Sequence, residues 1–237
     1  MIVMEYASKG SLRKNLHTIG QMDWKDKLNL LQCIASDLQI IHSHDLIHRD
    51  LHSGNILLNS FKSAYIVDLG LSITANIVSK SDGIYGILPY IAPEVLKTQT
   101  YTKESDIYSF GIIMWEIFFG TPVTIKQNSY PIMQIMQIID GLRPHIYENT
   151  ATCYTDLMKK CWYVESKKRP TAKEIYDAFV EWQNDEIILS KLSESDKKLQ
   201  QIKSEIVKID NYSHNKSSFI SSNSCYKFQG NYKFDSC

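Results

Sequence analysis

Between Asp23 and Asp45 apolar residues return every three or four positions, at Leu28, Leu31, Ile34, Leu38 and Ile41, the spacing of one helix face. Asp23 stands just ahead of that run, where a short acidic side chain can cap free N–H groups, so the pattern predicts an amphipathic helix over 23–45. The period then changes. Ile56 to Leu58 and Ala64 to Val67 are short apolar runs separated by Asn59, Ser60 and Lys62, which predicts a small hairpin-like strand pair. Residues 71–91 follow neither period, the mark of a functional loop inside a compact chain. Helical spacing resumes over 104–119, 131–140, 151–162 and 171–182, punctuated by Gly120 with Pro122, Gly141 with Pro144, and Arg169 with Pro170. The body is predicted to be mainly α with a few short strands.

Beyond Trp182, Ile188, Leu192, Leu199, Ile202, Ile206 and Ile209 fall on an approximate heptad stripe, interrupted at Ser195 and Asp196 and set among Lys, Glu and Gln. An amphipathic helix is expected over 184–210, either solvated along its polar side or offered to a helix-mediated partner through Ile188 to Ile209. Residues 211–237, rich in Ser, Asn, Lys and Tyr, are too polar for a core and are expected to form a disordered tail.

Composition narrows the function classes. A 43% hydrophobic content with ten glycines and six prolines excludes a wholly disordered or collagen-like chain. Twenty-six basic residues balance 26 acidic ones, so no global field favours a nucleic acid or an anionic membrane, and neither is expected as a partner. The five cysteines, Cys33, Cys153, Cys161, Cys225 and Cys237, are scattered without a CxxC, which argues against a disulfide framework or zinc ribbon and fits the reducing cytoplasm. MIVMEY has no basic leader character, and the most apolar stretch, 110–119, is broken by Glu116 and too short to span a bilayer.

The densest chemical signal is HRDLHSGNILL, His48 to Leu58, in which Asp50 and Asn55 lie five residues apart and run into a short strand. Thirteen residues after Asn55 comes Asp68 in VDLG, at the end of the next strand. An acid, an amide and a second acid at one mouth suit a magnesium ion that keeps several waters while it holds phosphates, with one acid left to orient a hydroxyl. His42, His44, His48 and His52 also offer HxH and i, i+4 zinc-ligand spacings. A simpler reading leaves the first two at the polar end of the helix and the other two inside the loop. Cys161 beside Trp162 is read as a packing residue, since no His/Asn set is placed to activate it.

At this point the sequence resembles the eukaryotic protein kinase family, whose catalytic loop reads HRDLxxxxN and whose metal loop reads DFG. Four more landmarks follow in the family's order. MIVMEYASKGSL is similar to the hinge between kinase lobes. Ala92, Pro93 and Glu94 match APE, SDIYSFGIIMWEI over 105–117 resembles the central buried helix, and CWYVESKKRP over 161–170 resembles the closing motif. VTIK at Val123 to Lys126 imitates the family's lysine strand but lies after the central helix, and is read as a decoy. The resemblance covers roughly residues 1–182.

The resemblance implies a protein-kinase-like C-terminal lobe over 1–183 with short β-strands at the catalytic cleft, and ATP and Mg2+ as cofactors. It implies that Asp50 orients the substrate hydroxyl and that Asn55 and Asp68 hold magnesium. Met4, Glu5, Ala7 and Leu57 would bind the nucleotide, with Ile56 and Leu58 beside Leu57 on the adenine floor and Ile113 and Ile117 behind. Arg49 would receive a phosphate placed on Ser79, Ser81 or Tyr85. His48, Leu69, Glu94, Asp106 and Arg169 would be structural, Asp106 bonding the catalytic-loop backbone and Arg169 pairing with Glu94.

Several positions depart from the pattern. No GxGxxG, phosphate-binding lysine or αC glutamate precedes Met4, so the N-terminal lobe is expected to be missing, leaving Met4, Ile56, Leu57 and Leu69 partly exposed. Leu69 stands for the Phe of DFG, and Ile87 for the usual threonine before APE. His52 stands where serine/threonine kinases commonly carry Lys, and Gly54 where tyrosine kinases commonly carry Arg. The hinge and the closing motif lean to the tyrosine-kinase-like serine/threonine group. Three readings stand: a protein kinase acting on a protein substrate, with Ser/Thr favoured over Tyr; a catalytically silent binding or scaffold module; and a small-molecule phosphotransferase, disfavoured by APE, SDIYSFG and the closing motif.

Overall fold

A helix that is apolar on every side must be buried on every side, and 103–119 builds the centre of the molecule. In this computed structural model, which describes residues 7–75, 83–124, 131–148 and 150–213 (backbone only for 131 and 200–213), the chain forms eight helices and five short strands among those residues. They are β1 (Gly10–Ser11), α1 (Leu12–Gly20), α2 (Trp24–Ser43), β2 (Leu46–Ile47), β3 (Ile56–Ser60), β4 (Ser63–Ile66) and β5 (Ile73–Thr74). The rest are α3 (Pro93–Thr98), α4 (Lys103–Phe119), α5 (Pro131–Ile139), α6 (Thr152–Cys161), α7 (Ala172–Asn184) and α8 (Glu186–Ser213). No helix among the described residues is long and apolar enough to cross a membrane.

Local chemistry sets the ends of the main helices. Asp23 accepts from Asp26 N at 2.9 Å at the start of α2. Thr102 and Ser105 bond each other's backbone N–H reciprocally at the start of α4, and Gly120, at φ 65°, closes its end. Helix α2 lies along α7, where Gln32 Nε2 donates to Phe179 O at 3.0 Å and to Gln183 Oε1 at 2.8 Å. Trp24, Phe118 and Tyr154 join α2, α4 and α6 through ring contacts at 5.1–5.5 Å.

Gly111 in mid-α4 packs tightly against the C-terminal end of α6. A Cβ there would lie 2.6 Å from Trp162 Nε1 and 2.7 Å from Cys161 Cβ. Alanine normally stabilises a helix interior over glycine by about 1 kcal/mol, but overpacking here outweighs that gain. Gly111→Ala is expected to destabilise the fold by about 1–3 kcal/mol; an unchanged or raised melting temperature would contradict this contact. Burial pushes the thiol of Cys161, at the same contact, up to about 12, which makes it an inert packing group.

The strands form two small antiparallel sheets, β1-β3-β4 and β2-β5. In the first, Leu57 faces Tyr65 and Leu58 faces Ala64. In the second, Leu46 pairs with Thr74 and Ile47 with Ile73, so the segment read as loop over 71–91 contains a two-residue strand and a 3-10 turn at Leu88–Tyr90. Two residues cannot display a period, which is why the pattern hides them. α1 and α3 are further additions, which begin at the ends of the segments read as the hinge and APE motifs.

Helix α8 corrects the reading of its stripe. Leu189, Leu192 and Leu199 are buried on the chain's own body, and the residues that interrupt the stripe make specific contacts. Ser195, itself buried, accepts from Ala151 N at 2.9 Å, while Asp196 takes the ammonium of the fully buried Lys27 at 2.5 Å. Burial pushes the Lys27 ammonium below its ordinary range against the pull of Asp196. The side chains of Ile202, Ile206 and Ile209 lie outside those described; the helical backbone continues to Ser213, and the tail beyond it is also outside the described residues.

Candidate active site

The loop from Asp45 to Asn55 is shaped by backbone that L residues adopt reluctantly. Within it Asp45 and Arg49 have φ of 56° and 72°, as Asp68 beyond it has 66°, left-handed values that cost roughly 1 kcal/mol or more each unless neighbours enforce them. Asp106 of α4 does so at Arg49. Its buried carboxylate accepts from His48 N at 2.8 Å and Arg49 N at 3.0 Å, and pairs with His42 Nε2 at 2.9 Å. His42 is therefore a support of the loop rather than a polar helix end, with an exposure of only 11%.

His48 ties the loop to the next strand. Asp50 N donates to its Nδ1 at 3.3 Å, which leaves the ring proton on Nε2, where it reaches Val67 O at 3.1 Å. Asn55 repeats the connection from the other side. Its carbonyl accepts from Val67 N at 2.9 Å, while its Nδ2 donates to Asp50 O at 2.9 Å and Asp50 Oδ2 at 3.3 Å. With its donors turned towards Asp50, the amide leaves Oδ1 as its free hard-oxygen donor. Asp68 follows at once, exposed, with Oδ1 accepting from Gly70 N at 3.3 Å. Asp50 and Asn55 are thus bonded to each other, and Asp68 follows Val67, whose backbone is held by both Asn55 and His48. An amide oxygen just before β3 and a carboxylate just after β4 are suitable donors for a magnesium ion that takes its remaining ligands from water and phosphate.

Among the described residues no group of three His, Cys, Asp or Glu is arranged to hold a metal. The four histidines that offered zinc spacing each have their own partner: Asp106 for His42, Ile40 O for His44, Val67 O for His48 and Gly54 N for His52.

Other expected site residues fall elsewhere. Ile56, Leu57 and Leu58 do not share a floor, because side chains alternate along β3. Ile56 and Leu58 point into the core, where Ile113 and Ile117 are also buried, and Leu57 alone lies half-buried on the opposite face. Leu69, read as a packing residue yet expected to lie partly exposed without an N-terminal lobe, is 49% exposed beside the left-handed turn at Asp68, whereas Ile56, for which partial exposure is also expected, is fully buried because its face of β3 joins the core. The Ala7 carbonyl is taken up by Gly10 N at 3.1 Å within the chain's own turn. Met4, Glu5, Ser79 and Ser81, with Ile125 and Lys126 of VTIK, lie outside the described residues.

Arg49 is held by rings. Its guanidinium sits 4.6 Å from the Tyr101 ring centroid and 5.6 Å from that of Tyr85, with its Nε buried and lacking a hydrogen-bond partner among the described residues. Tyr101 Oη donates to Tyr85 O at 2.8 Å and accepts from Tyr85 N at 2.9 Å. Glu94 and Arg169 form a two-pronged pair, Nη1 to Oε1 at 2.6 Å and Nη2 to Oε2 at 2.7 Å, and Arg169 also donates to Glu104 O and Tyr163 O.

One network had no motif to announce it. Tyr90 Oη donates to Glu116 Oε1 at 2.6 Å and meets Ser53 Oγ at 3.0 Å, so the segment before APE, the catalytic loop and α4 share one buried hydroxyl. Glu116 also accepts from Val123 N at 2.9 Å, and burial pushes its carboxyl above the usual carboxylate range. The signal in the sequence was a charged residue inside the most apolar helix.

Comparison with known proteins agrees with the loop motifs. The family model described as protein tyrosine and serine/threonine kinase matches residues 1–179. The chain is 33% identical over 180 residues to the putative serine/threonine-protein kinase/receptor R826 of Acanthamoeba polyphaga mimivirus, covering 73% of this chain and 10% of that protein. It is 37% identical over 190 residues to the probable serine/threonine-protein kinase roco8 of Dictyostelium discoideum, covering 73% and 10%. With the serine/threonine/tyrosine-protein kinase HT1 of Arabidopsis thaliana it shares 31% identity over 177 residues, covering 73% and 45%. The chain spans about a tenth of the length of the first of these relatives.

Proposed function

Because the chain belongs to the protein tyrosine and serine/threonine kinase family, we propose that it transfers the γ-phosphoryl group of ATP to a hydroxyl on a protein, serine or threonine in preference to tyrosine. One observation supports this reading: Asp50 and Asn55 are bonded to each other, and Val67, next to Asp68 in the chain, is tied through its backbone to both Asn55 and His48. Asn55 and Asp68 would hold magnesium, which would neutralise phosphate charge when bound. Asp50 orients the substrate hydroxyl; as its oxygen bonds to the γ-phosphorus, the bond to the β-phosphate oxygen breaks, ADP leaves with that electron pair, and the hydroxyl proton passes to Asp50. Arg49 is the cation that receives a phosphate on Ser79, Ser81 or Tyr85, exchanging its tyrosine rings for a charge-assisted contact.

In this reading residues 1–183 are a C-terminal kinase lobe, 184–210 its helical extension and 211–237 a tail. The free thiols Cys33, Cys153 and Cys161 suit the cytoplasm. The 237 residues contain no GxGxxG run, so the test uses this chain and the chain joined at its amino end to the glycine-rich lobe of a relative. The joined form is expected to label a serine or threonine peptide from radiolabelled Mg-ATP, and the 237-residue form to label it below detection. Absence of transfer from both would refute the reading.

A further inference from the structure

Tyr101 belongs to none of the sequence motifs, yet it joins two segments of the candidate active site. It stands one residue ahead of the Thr102 cap of α4 and is 7% exposed. Its hydroxyl makes two bonds to a single residue: Oη donates to Tyr85 O at 2.8 Å and accepts from Tyr85 N at 2.9 Å. The phenol thereby serves the main chain as a paired strand residue would, supplying both a donor and an acceptor to the segment before APE. Its ring lies against Arg49, with the guanidinium carbon 4.6 Å from the ring centroid.

The next residue shows what this tether sets. Gly86 has a φ of 117°, and a Cβ there would lie 3.3 Å from Asp50 Oδ1 and 3.6 Å from Ile91 Cγ1. The backbone that follows Tyr85 therefore runs directly beside the Asp50 carboxylate. On the other side of that carboxylate, the catalytic loop is held by Asp106, which accepts from His48 N and Arg49 N. Asp106 lies in the first turn of α4, just after Tyr101 and the Thr102 cap. One capped helix end thus fixes the catalytic loop through a carboxylate and the facing segment through a hydroxyl.

We propose that Tyr101 is a positioning residue for the protein substrate: its hydroxyl holds residues 85 and 86 at a set distance from Asp50, so that the acceptor enters a site shaped before any phosphate reaches Arg49. The inference rests on the role given to Asp50 above. Both bonds run to main-chain atoms of Tyr85, so they need neither a charge nor a modification on the segment. The tether touches none of the groups that hold Asn55, whose bonds run to Asp50 and Val67. Its loss therefore bears on the acceptor side of the site and spares the nucleotide side.

Tyr101→Phe removes the tether alone, because the ring can stay on Arg49. In the phosphatase-treated 237-residue chain, residue-resolved hydrogen exchange is expected to show the Tyr85 amide protected in the wild type, although it lies outside any helix or sheet. The substitution should speed that exchange by about tenfold, the worth of one hydrogen bond, and leave the interior of α4 as it was. An unprotected Tyr85 amide in the wild type would overturn the proposal without recourse to any variant. In initial rates of the joined form, likewise treated with phosphatase, Tyr101→Phe is expected to lower kcat/KM for a serine or threonine peptide by about tenfold. The KM for Mg-ATP should stay close to that of the wild type. Equal losses towards peptide and nucleotide would make Tyr101 a general support of the fold and overturn its positioning role. Unchanged peptide kinetics with robust transfer would also overturn the inference, and would leave the kinase reading intact. Absence of transfer from the wild-type joined form would sink the kinase reading and this inference with it.

Discussion

Asp50→Asn is expected to lower turnover of the joined form by about a hundredfold or more while Mg-ATP affinity stays close to that of the wild type. Asp50 accepts at Oδ2 from the Asn55 amide and has the His52 ring N–H facing Oδ1. An asparagine there must turn its own NH2 towards one of these two donors, whichever way the amide is flipped, so it loses orientation as well as the capacity to accept a proton. The nucleotide side is spared, because the Asn55 Nδ2 bond to the Asp50 carbonyl does not involve the substituted group. Turnover equal to the wild type would remove Asp50 from the mechanism. A parallel loss of nucleotide affinity would make the residue a scaffold of the loop instead.

Removing Arg169 is the largest expected loss of stability, about 3–5 kcal/mol for Arg169→Ala. The guanidinium is fully buried and serves Glu94 through both prongs, with Glu104 O and Tyr163 O as further acceptors. Alanine would leave all of these without their donor and open a cavity against the Tyr108 ring, which lies 5.4 Å from the guanidinium carbon. Glu94 is 23% exposed, so water can take over part of its solvation and hold the cost to the lower part of that range. Thermal unfolding should fall by roughly 10 °C for a domain of this size. A melting temperature unchanged within error would mean that α3 and the segment after α6 hold together without the pair.

Periodicity and motif spacing determined a good deal unaided. The 3.6-residue recurrence marks α2, α4, α6 and α7 to within a few residues, Asp23 is legible as a cap, and the two short apolar runs on either side of Asn59, Ser60 and Lys62 mark β3 and β4. These signals are local, because a helix face or a strand period is written in consecutive residues. HRDLHSGN and VDLG likewise announce an acid, an amide and an acid near one another, since few residues separate them.

What only the tertiary structure decided is which surface meets which. That Asp106 pairs with His42 as well as with the loop, that Ser195 and Asp196 complete α8 instead of interrupting it, and that Ile56 and Leu57 face opposite ways follow from contacts between distant segments. A residue's type records whether it can be buried or bonded, not what will cover it. His52 shows this most plainly. Its imidazole is visible in the sequence, but its bond from Gly54 N and its place 3.6 Å from the Asp50 carboxylate depend on how the backbone of the loop folds back on itself.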